Sequence, residues 1–177
     1  MVVALLLTGR DRSTVADHIR VRNPVTLPAR VSAERVPLGF AGDYKPCVVR
    51  LASGELLVVM FHGVSVAGGK VREDMILYRS QDGGKTWGRR EVLPLLGREP
   101  YFSLIQDGTL FITTHLLTQD VRNQEGYILS YLHRSTDHGK TWTTLEIGRE
   151  DVPGDKPKTL TLTSSIVLEL DDGTLIL

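Results

Sequence analysis

The octapeptide Ser80-Gln81-Asp82-Gly83-Gly84-Lys85-Thr86-Trp87 returns as Ser135-Thr136-Asp137-His138-Gly139-Lys140-Thr141-Trp142, 55 residues later and identical at six of eight positions. No bulk property constrains the fold as strongly. A repeat of this length builds one supersecondary unit several times over instead of one irregular core. A second landmark alternates with the first: an apolar run, a turn ending in glycine, then another apolar run. It occurs at 48–60 through Gly54, 102–113 through Gly108 and 166–177 through Gly173.

Each repeat reads as four short strands, near 47–51, 55–61, 75–79 and 90–93 in the first and 102–105, 109–115, 127–134 and 143–147 in the second. These runs are rich in Val, Ile, Leu, Thr and Tyr and are bounded by Gly, Asp and Pro, which is strand punctuation. Asp107-Gly108 and Asp172-Gly173 predict two-residue hairpins, because glycine accepts the positive φ such turns require. No stretch sustains a helical period. The chain therefore reads as all-β, and four antiparallel strands per repeat is the pattern of a β-propeller blade. Two full blades are expected (44–94 and 98–148), with a third begun but incomplete (159–177). An open half-ring would leave apolar faces and strand edges in water, so the chain is expected to be the N-terminal portion of a longer propeller. Residues 1–43 form a lead-in, within which 31–37 is expected to supply an outer strand to the closing blade.

The pattern Ser-x-Asp-x-Gly-x-Thr-Trp resembles the Asp box, or BNR repeat, of the sialidase (neuraminidase) superfamily. The resemblance covers residues 44–177. It implies a sialidase-type propeller, six-bladed when complete. In such a box the aspartate accepts backbone amides in an Asx-type turn and glycine takes the left-handed conformation. The tryptophan is expected to bury its ring against the blade. Asp82 and Asp137 are thus expected to be structural carboxylates. Gly84-Lys85-Thr86 and Gly139-Lys140-Thr141 also mimic the end of a phosphate-binding loop. The leading glycine of that motif would fall on Arg79 or Arg134, and no helix follows, so that reading fails.

Composition narrows the partners. Twenty-one basic and 21 acidic residues cancel, giving no reason to expect a nucleic-acid or membrane partner. The single Cys47 excludes an internal disulfide and a cysteine-rich zinc site, and no metal or cofactor is expected. The only N-terminal apolar run, 2–7, lacks a basic lead-in and is short for a secretory signal.

Strand order maps the loops of a propeller. Both Asp boxes and the glycine hairpins fall on one face. The starts of first strands and the loops between second and third strands fall on the other, where the resemblance places substrate. There the first repeat offers Asp43-Tyr44-Lys45-Pro46 and a loop from His62 to Asp74. The second offers Arg98-Glu99-Pro100-Tyr101 and a loop holding His115, Gln119, Asp120, Arg122, Asn123 and Glu125. Such a density of charged and amide groups suits a polar, carboxylated sugar.

Sialidases open their first blade with an aromatic-Arg-Ile-Pro motif. Tyr44-Lys45-Pro46 stands there with lysine for arginine and one residue fewer, so the planar two-donor fork is lost. The resemblance implies exo-acting hydrolysis of a terminal acidic sugar, sialic acid first, with a carboxylic acid protonating the leaving oxygen. The tyrosine nucleophile and its glutamate partner would belong to later blades. Asp74, or its neighbour Glu73, is the candidate acid/base. Lys45 and Arg98 are candidate carboxylate ligands, Glu99 would orient a cation, and His62 and His115 would line the pocket. The rivals are a lyase or other exo-glycosidase on the same scaffold, and a non-catalytic propeller that binds glycans or proteins. Fold alone does not separate them.

Overall fold

The structure is a computed structural model and describes residues 36–148, 151 and 162–177. Ten strands follow in order: β1 (Asp43–Arg50), β2 (Leu56–Val66), β3 (Lys70–Ser80), β4 (Glu91–Leu93), β5 (Arg98–Leu104), β6 (Leu110–Leu116), β7 (Leu129–Ser135), β8 (Thr143–Ile147), β9 (Leu168–Glu169) and β10 (Leu175–Ile176). They form two four-stranded sheets, β1-β2-β3-β4 and β5-β6-β7-β8, and a two-stranded β9-β10 pair. Every strand pair is antiparallel, and the described residues contain no α-helix. The protein is all-β, as its apolar runs and turn residues require. The closing strand expected at 31–37 lies largely outside the described residues.

The turns at Gly108 and Gly173 carry one residue more than the expected two, and the turn at Gly54 is built the same way. Gly54, Gly108 and Gly173 have φ of 90°, 87° and 83°. Their N–H groups bond back to Leu51, Ile105 and Leu170, while those residues bond forward to Glu55, Thr109 and Thr174. This is a three-residue loop closed by a left-handed glycine. Asp107 and Asp172 tighten it by accepting the N–H of Thr109 and Thr174.

A larger difference concerns residues 62–74, expected as a loop. Pairing of β2 with β3 instead continues from Phe61↔Met75 to Val66↔Lys70 and closes through a short 3-10 turn at Ala67–Gly69. Val64, Val66 and Val71 favour extended backbone. Gly68 and Gly69 supply the positive φ of a tight reversal, 74° and 71°.

Alternation along the strands then decides everything about packing, because successive side chains face opposite ways. Leu57, Val59, Met75 and Leu77 lie on one face of the first sheet and meet Phe102, Leu110 and Ile112 of the second in a shared apolar seam. Full burial of each such side chain contributes about 1.5–3 kcal/mol. The opposite face buries Val58, Met60, Ile76 and Tyr78 in a separate cluster. In the second sheet His133 is fully buried, with Nδ1 2.8 Å from the Thr144 hydroxyl and Nε2 3.2 Å from the Leu96 carbonyl. Burial holds its pKa down at about 4, so the ring is neutral and structural.

The two Asp boxes are built alike. Asp82 accepts Thr86 N–H at 2.9 Å and Thr86 O–H at 2.6 Å, and Asp137 accepts the same groups of Thr141 at the same distances. Ser80 and Ser135 donate to the aspartate while accepting the N–H of Gly84 and Gly139. The tryptophans, expected to be largely buried against the blade, are less covered than that. Both are half-buried, Trp142 against the seam and Trp87 against the opposite cluster.

These boxes generate a stability prediction. Hydrogen bonds led by the threonine hydroxyls hold Asp82 down to about 2 and Asp137 below the ordinary carboxylate value. A depressed pKa contributes stability above the unfolded value, 3.8 here, that is lost as pH falls through the folded one. Asp137→Ala should lower the melting temperature at neutral pH, with the deficit shrinking towards pH 2. A calorimetric series with Lys140→Ala as control checks this; a deficit that does not vary with pH would refute it.

Candidate functional site

At the upper end of the seam the apolar face gives way to charge. Glu73 pairs in register with Gly63, two residues beyond Phe61↔Met75, so its carboxyl continues the face that carries Val59 and Leu77. The residue is only 4% exposed. Its Oε1 lies 3.3 Å from Nη1 of Arg98, while Oε2 is buried without a partner among the described residues. Arg98 also sits over the Phe61 ring, 4.9 Å from its centroid, and 3.6 Å from Glu99. Glu99 in turn bonds Lys45 at 2.6 Å. Glu73 and Arg98 line a cleft of about 350 Å³ with Tyr44, Lys45, Phe61, Gly63, Val64, Ser65 and Val71.

Lys45 and Glu99 occupy matching places in the two repeats. Each precedes a proline, each interrupts the register of a first strand, and each is left-handed, with φ of 48° and 52°. Left-handed backbone is strained for a non-glycine, and a following proline also disfavours it. Such strain costs on the order of 1–3 kcal/mol per residue and gathers at functional sites. Here it bends two neighbouring first strands so that their pre-proline side chains meet.

The electrostatics follow from burial and pairing. Burial drives the Glu73 carboxyl above its ordinary pKa, with Asp120 and Glu99 adding to the rise and Arg98 and Arg122 opposing it. Burial acts the same way on Glu99, but Lys45, His115 and Arg98 outweigh it and leave that carboxyl below the ordinary value. The cleft wall thus holds one carboxyl biased towards its acid form and two cations, Arg98 and Lys45, with the Glu99 carboxylate paired to Lys45 and beside Arg98. A protonated Glu73 has a proton to give to a bound oxygen.

Three sequence expectations are corrected by geometry. Asp74 faces away from the cleft and is taken up by Arg72 at 3.0 Å and Arg122 at 3.6 Å. His62 also lies outside the cleft. Its Nδ1 is 2.7 Å from Asp43, which Arg90 approaches at 3.5 Å. The cause is register: Tyr44↔Phe61 matches Arg98↔His115, so Phe61, not His62, is the counterpart of His115. A one-residue slip sends a side chain to the other face. His115 is buried behind the cleft with Nδ1 3.1 Å from the Thr163 carbonyl, and burial keeps its pKa down. Lys45, Arg98, Glu99 and Glu73 do converge.

The second loop is also spent internally. Asn123 donates to the carbonyls of Leu116, Leu117 and Tyr127 and accepts Glu125 N–H, while Asp120 is fully buried. Sequence reasoning missed Phe61 and Tyr44 as cleft walls. Extending the two-residue alternation of Leu57 and Val59 by one step would have found Phe61.

A larger hollow, about 570 Å³, lies at the Asp-box end and is lined by Ser53, Glu55, Arg79, Gln81, His138 and Lys140. Its central Arg79 is already bonded to the carbonyls of His138 and Gly139, at 3.0 and 2.7 Å. It therefore reads as a lock between the two box turns.

No family model matches the chain, and no curated protein does. Among solved structures, a protein of unknown function from Dyadobacter fermentans is similar at 22% identity and a TM-score of 0.46. The match covers 59% of this chain and 36% of that one, so this chain spans well under half of that protein's length.

The Lys45–Glu99 contact is short, but the lysine side chain is 54% exposed. Solvent screening should limit it to about 0–1 kcal/mol. A double-mutant cycle with Lys45→Ala and Glu99→Ala, read by chemical denaturation, should give a coupling in that range. A coupling of several kcal/mol would mean that the pair holds the two sheets together.

Proposed function

We propose that the two four-stranded sheets are successive blades of an Asp-box propeller of the sialidase type, and that the protein is an exo-acting glycoside hydrolase for terminal acidic sugars. The propeller reading is supported by the order of strands within each sheet, by first strands β1 and β5 packing side by side, and by Asp boxes repeated at one end of the seam. In this reading the chain contributes two blades and the start of a third to a ring that is six-bladed when complete.

One observation carries the catalytic part: Glu73, buried, raised in pKa and with one oxygen unpaired among the described residues, stands in the wall of an open cleft beside Arg98 and Lys45. A carboxylic acid whose pKa is raised by burial is what departure of an alcohol from a glycosidic carbon needs. Arg98 and Lys45 provide positive charge for a sugar carboxylate, and Phe61 and Tyr44 provide apolar surface for the ring. Glu73 replaces Asp74 as the residue assigned to the acid. The nucleophile lies outside this assignment. A non-catalytic glycan-binding propeller is the second reading, favoured by one fact: both cations already have anionic partners.

The test compares leaving groups. In the full-length protein, Glu73→Gln should lower kcat on a sialylated oligosaccharide by about 100-fold or more, with KM near the wild-type value. The loss should be smaller on an aryl sialoside, whose leaving group needs no proton. Equal losses on both substrates would remove Glu73 as the acid. Glycan binding by a wild-type protein that hydrolyses neither substrate would establish the second reading.

A further inference from the structure

The loop joining β6 to β7 belongs to the second sheet but lies along the first. Strand β4 pairs with β3 only from Met75 to Leu77, leaving the upper edge of β3 uncovered. There Val71 N–H donates to the Gln119 carbonyl at 3.0 Å, and Val121 N–H donates to the Val71 carbonyl at 2.9 Å, forming a parallel bridge. Two residues further along β3, the contact becomes specific to Glu73. Asp120 Oδ2 accepts the Glu73 N–H at 3.2 Å, and Arg122 Nη2 donates to the Glu73 carbonyl. Arg122 also grips Asp120 through two bonds, Nε to Oδ1 at 2.9 Å and Nη2 to Oδ2 at 2.7 Å, the bidentate arrangement that fixes geometry best.

Both backbone groups of Glu73 are therefore held by two side chains from the neighbouring sheet. Covering a strand edge does not require this, since the bridge at Val71 already does so. A fully buried carboxylate is costly unless paired, and Asp120 has no solvent exposure at all. Its pairing is directed at the peptide of the one residue whose carboxyl enters the cleft with an unpartnered oxygen.

We propose that Asp120 and Arg122 are positioning residues for Glu73, a clasp that fixes its peptide in the cleft wall from the adjacent sheet. The proposal rests on the reading of Glu73 as the proton donor and adds to it how that residue is held and tuned. The charges facing Glu73 are Arg98 and Glu99 from β5, with Lys45 of β1 behind Glu99, and Asp120 and Arg122 from the loop; Arg72 and Asp74 share its own strand. Within that set the two clasp residues act in opposite senses. The Asp120 charge favours the protonated carboxyl, and the Arg122 charge favours the ionised one. Removing either member also unmasks the other, so the two single substitutions should move Glu73 in opposite directions.

The experiment is a carbon-detected NMR titration of the Glu73 carboxyl in full-length protein labelled at glutamate, without substrate, the resonance being identified by its loss in Glu73→Gln. Asp120→Asn keeps an acceptor for the Glu73 N–H and should lower the midpoint. Arg122→Gln should raise it. Arg122→Lys keeps the charge and should leave the midpoint near wild type even where it lowers the melting temperature, which separates tuning from stability. Opposite shifts in the first two variants support the clasp; midpoints that stay put, or move the same way, overturn it. Because the titration needs no turnover, opposite shifts in a protein without glycosidase activity would retain the clasp and defeat only the acid assignment.

Discussion

The two-residue period of the β-strand governs both the stability and the candidate chemistry of this protein. Leu57, Val59 and Phe61 on β2, with Met75 and Leu77 on β3, must all face one way to build the seam against the second sheet. Continuing that face by one step upward places Glu73 there, and continuing it downward places Arg79. Each end of the apolar seam therefore terminates in an ionisable group that reaches the neighbouring sheet. Arg79 is saturated by the carbonyls of the second Asp box. Glu73 is not saturated, and the asymmetry distinguishes a structural end from a candidate functional one.

Low polarity at the upper end makes each charge there count. Phe61 lies under Arg98 and packs against Tyr44 in a tilted arrangement, which covers one side of the guanidinium. Burial of the Glu73 carboxyl outweighs the attraction of Arg98, 3.3 Å away, and of Arg122, and one of its oxygens has no partner among the described residues, which favours its neutral form. The strained Lys45 and Glu99 backbones bring a fixed ion pair alongside. The same fold can carry binding or catalysis, and only the chemistry of such a site argues for one or the other.

Much of the architecture was legible in the sequence because its signals are local. Apolar alternation, glycine turns and the two Asp boxes each depend on residues within a few positions of one another. The boxes needed only the serine, aspartate, glycine and threonine of a single hairpin, and both formed as those residues imply. The hairpin at 62–74 was missed because its strands are short of large apolar residues and pair beyond the core, where composition resembles a loop. The site was legible in part. Lys45 and Glu99 stand at the pre-proline position common to both repeats, and Arg98 directly precedes Glu99, so repeat logic found them. His62 and Asp74 were misplaced because sequence alone does not fix register to one residue, and the neighbour of each faces the cleft instead. The inward turn of Asp120 and Arg122 onto β3 depends on contacts across two sheets and left no local trace.

The claim that the cleft around Glu73 is the working site is tested most directly by a crystal structure of the protein with an unsaturated sialic acid analogue, which mimics the flattened ring of the transition state. The account predicts the analogue in that cleft, its carboxylate bound by Arg98 and Lys45, with the Glu73 carboxyl beside the former anomeric carbon, where a leaving oxygen would accept its proton. An analogue seated instead at Asp43 and His62, or in the hollow around Arg79, would contradict it.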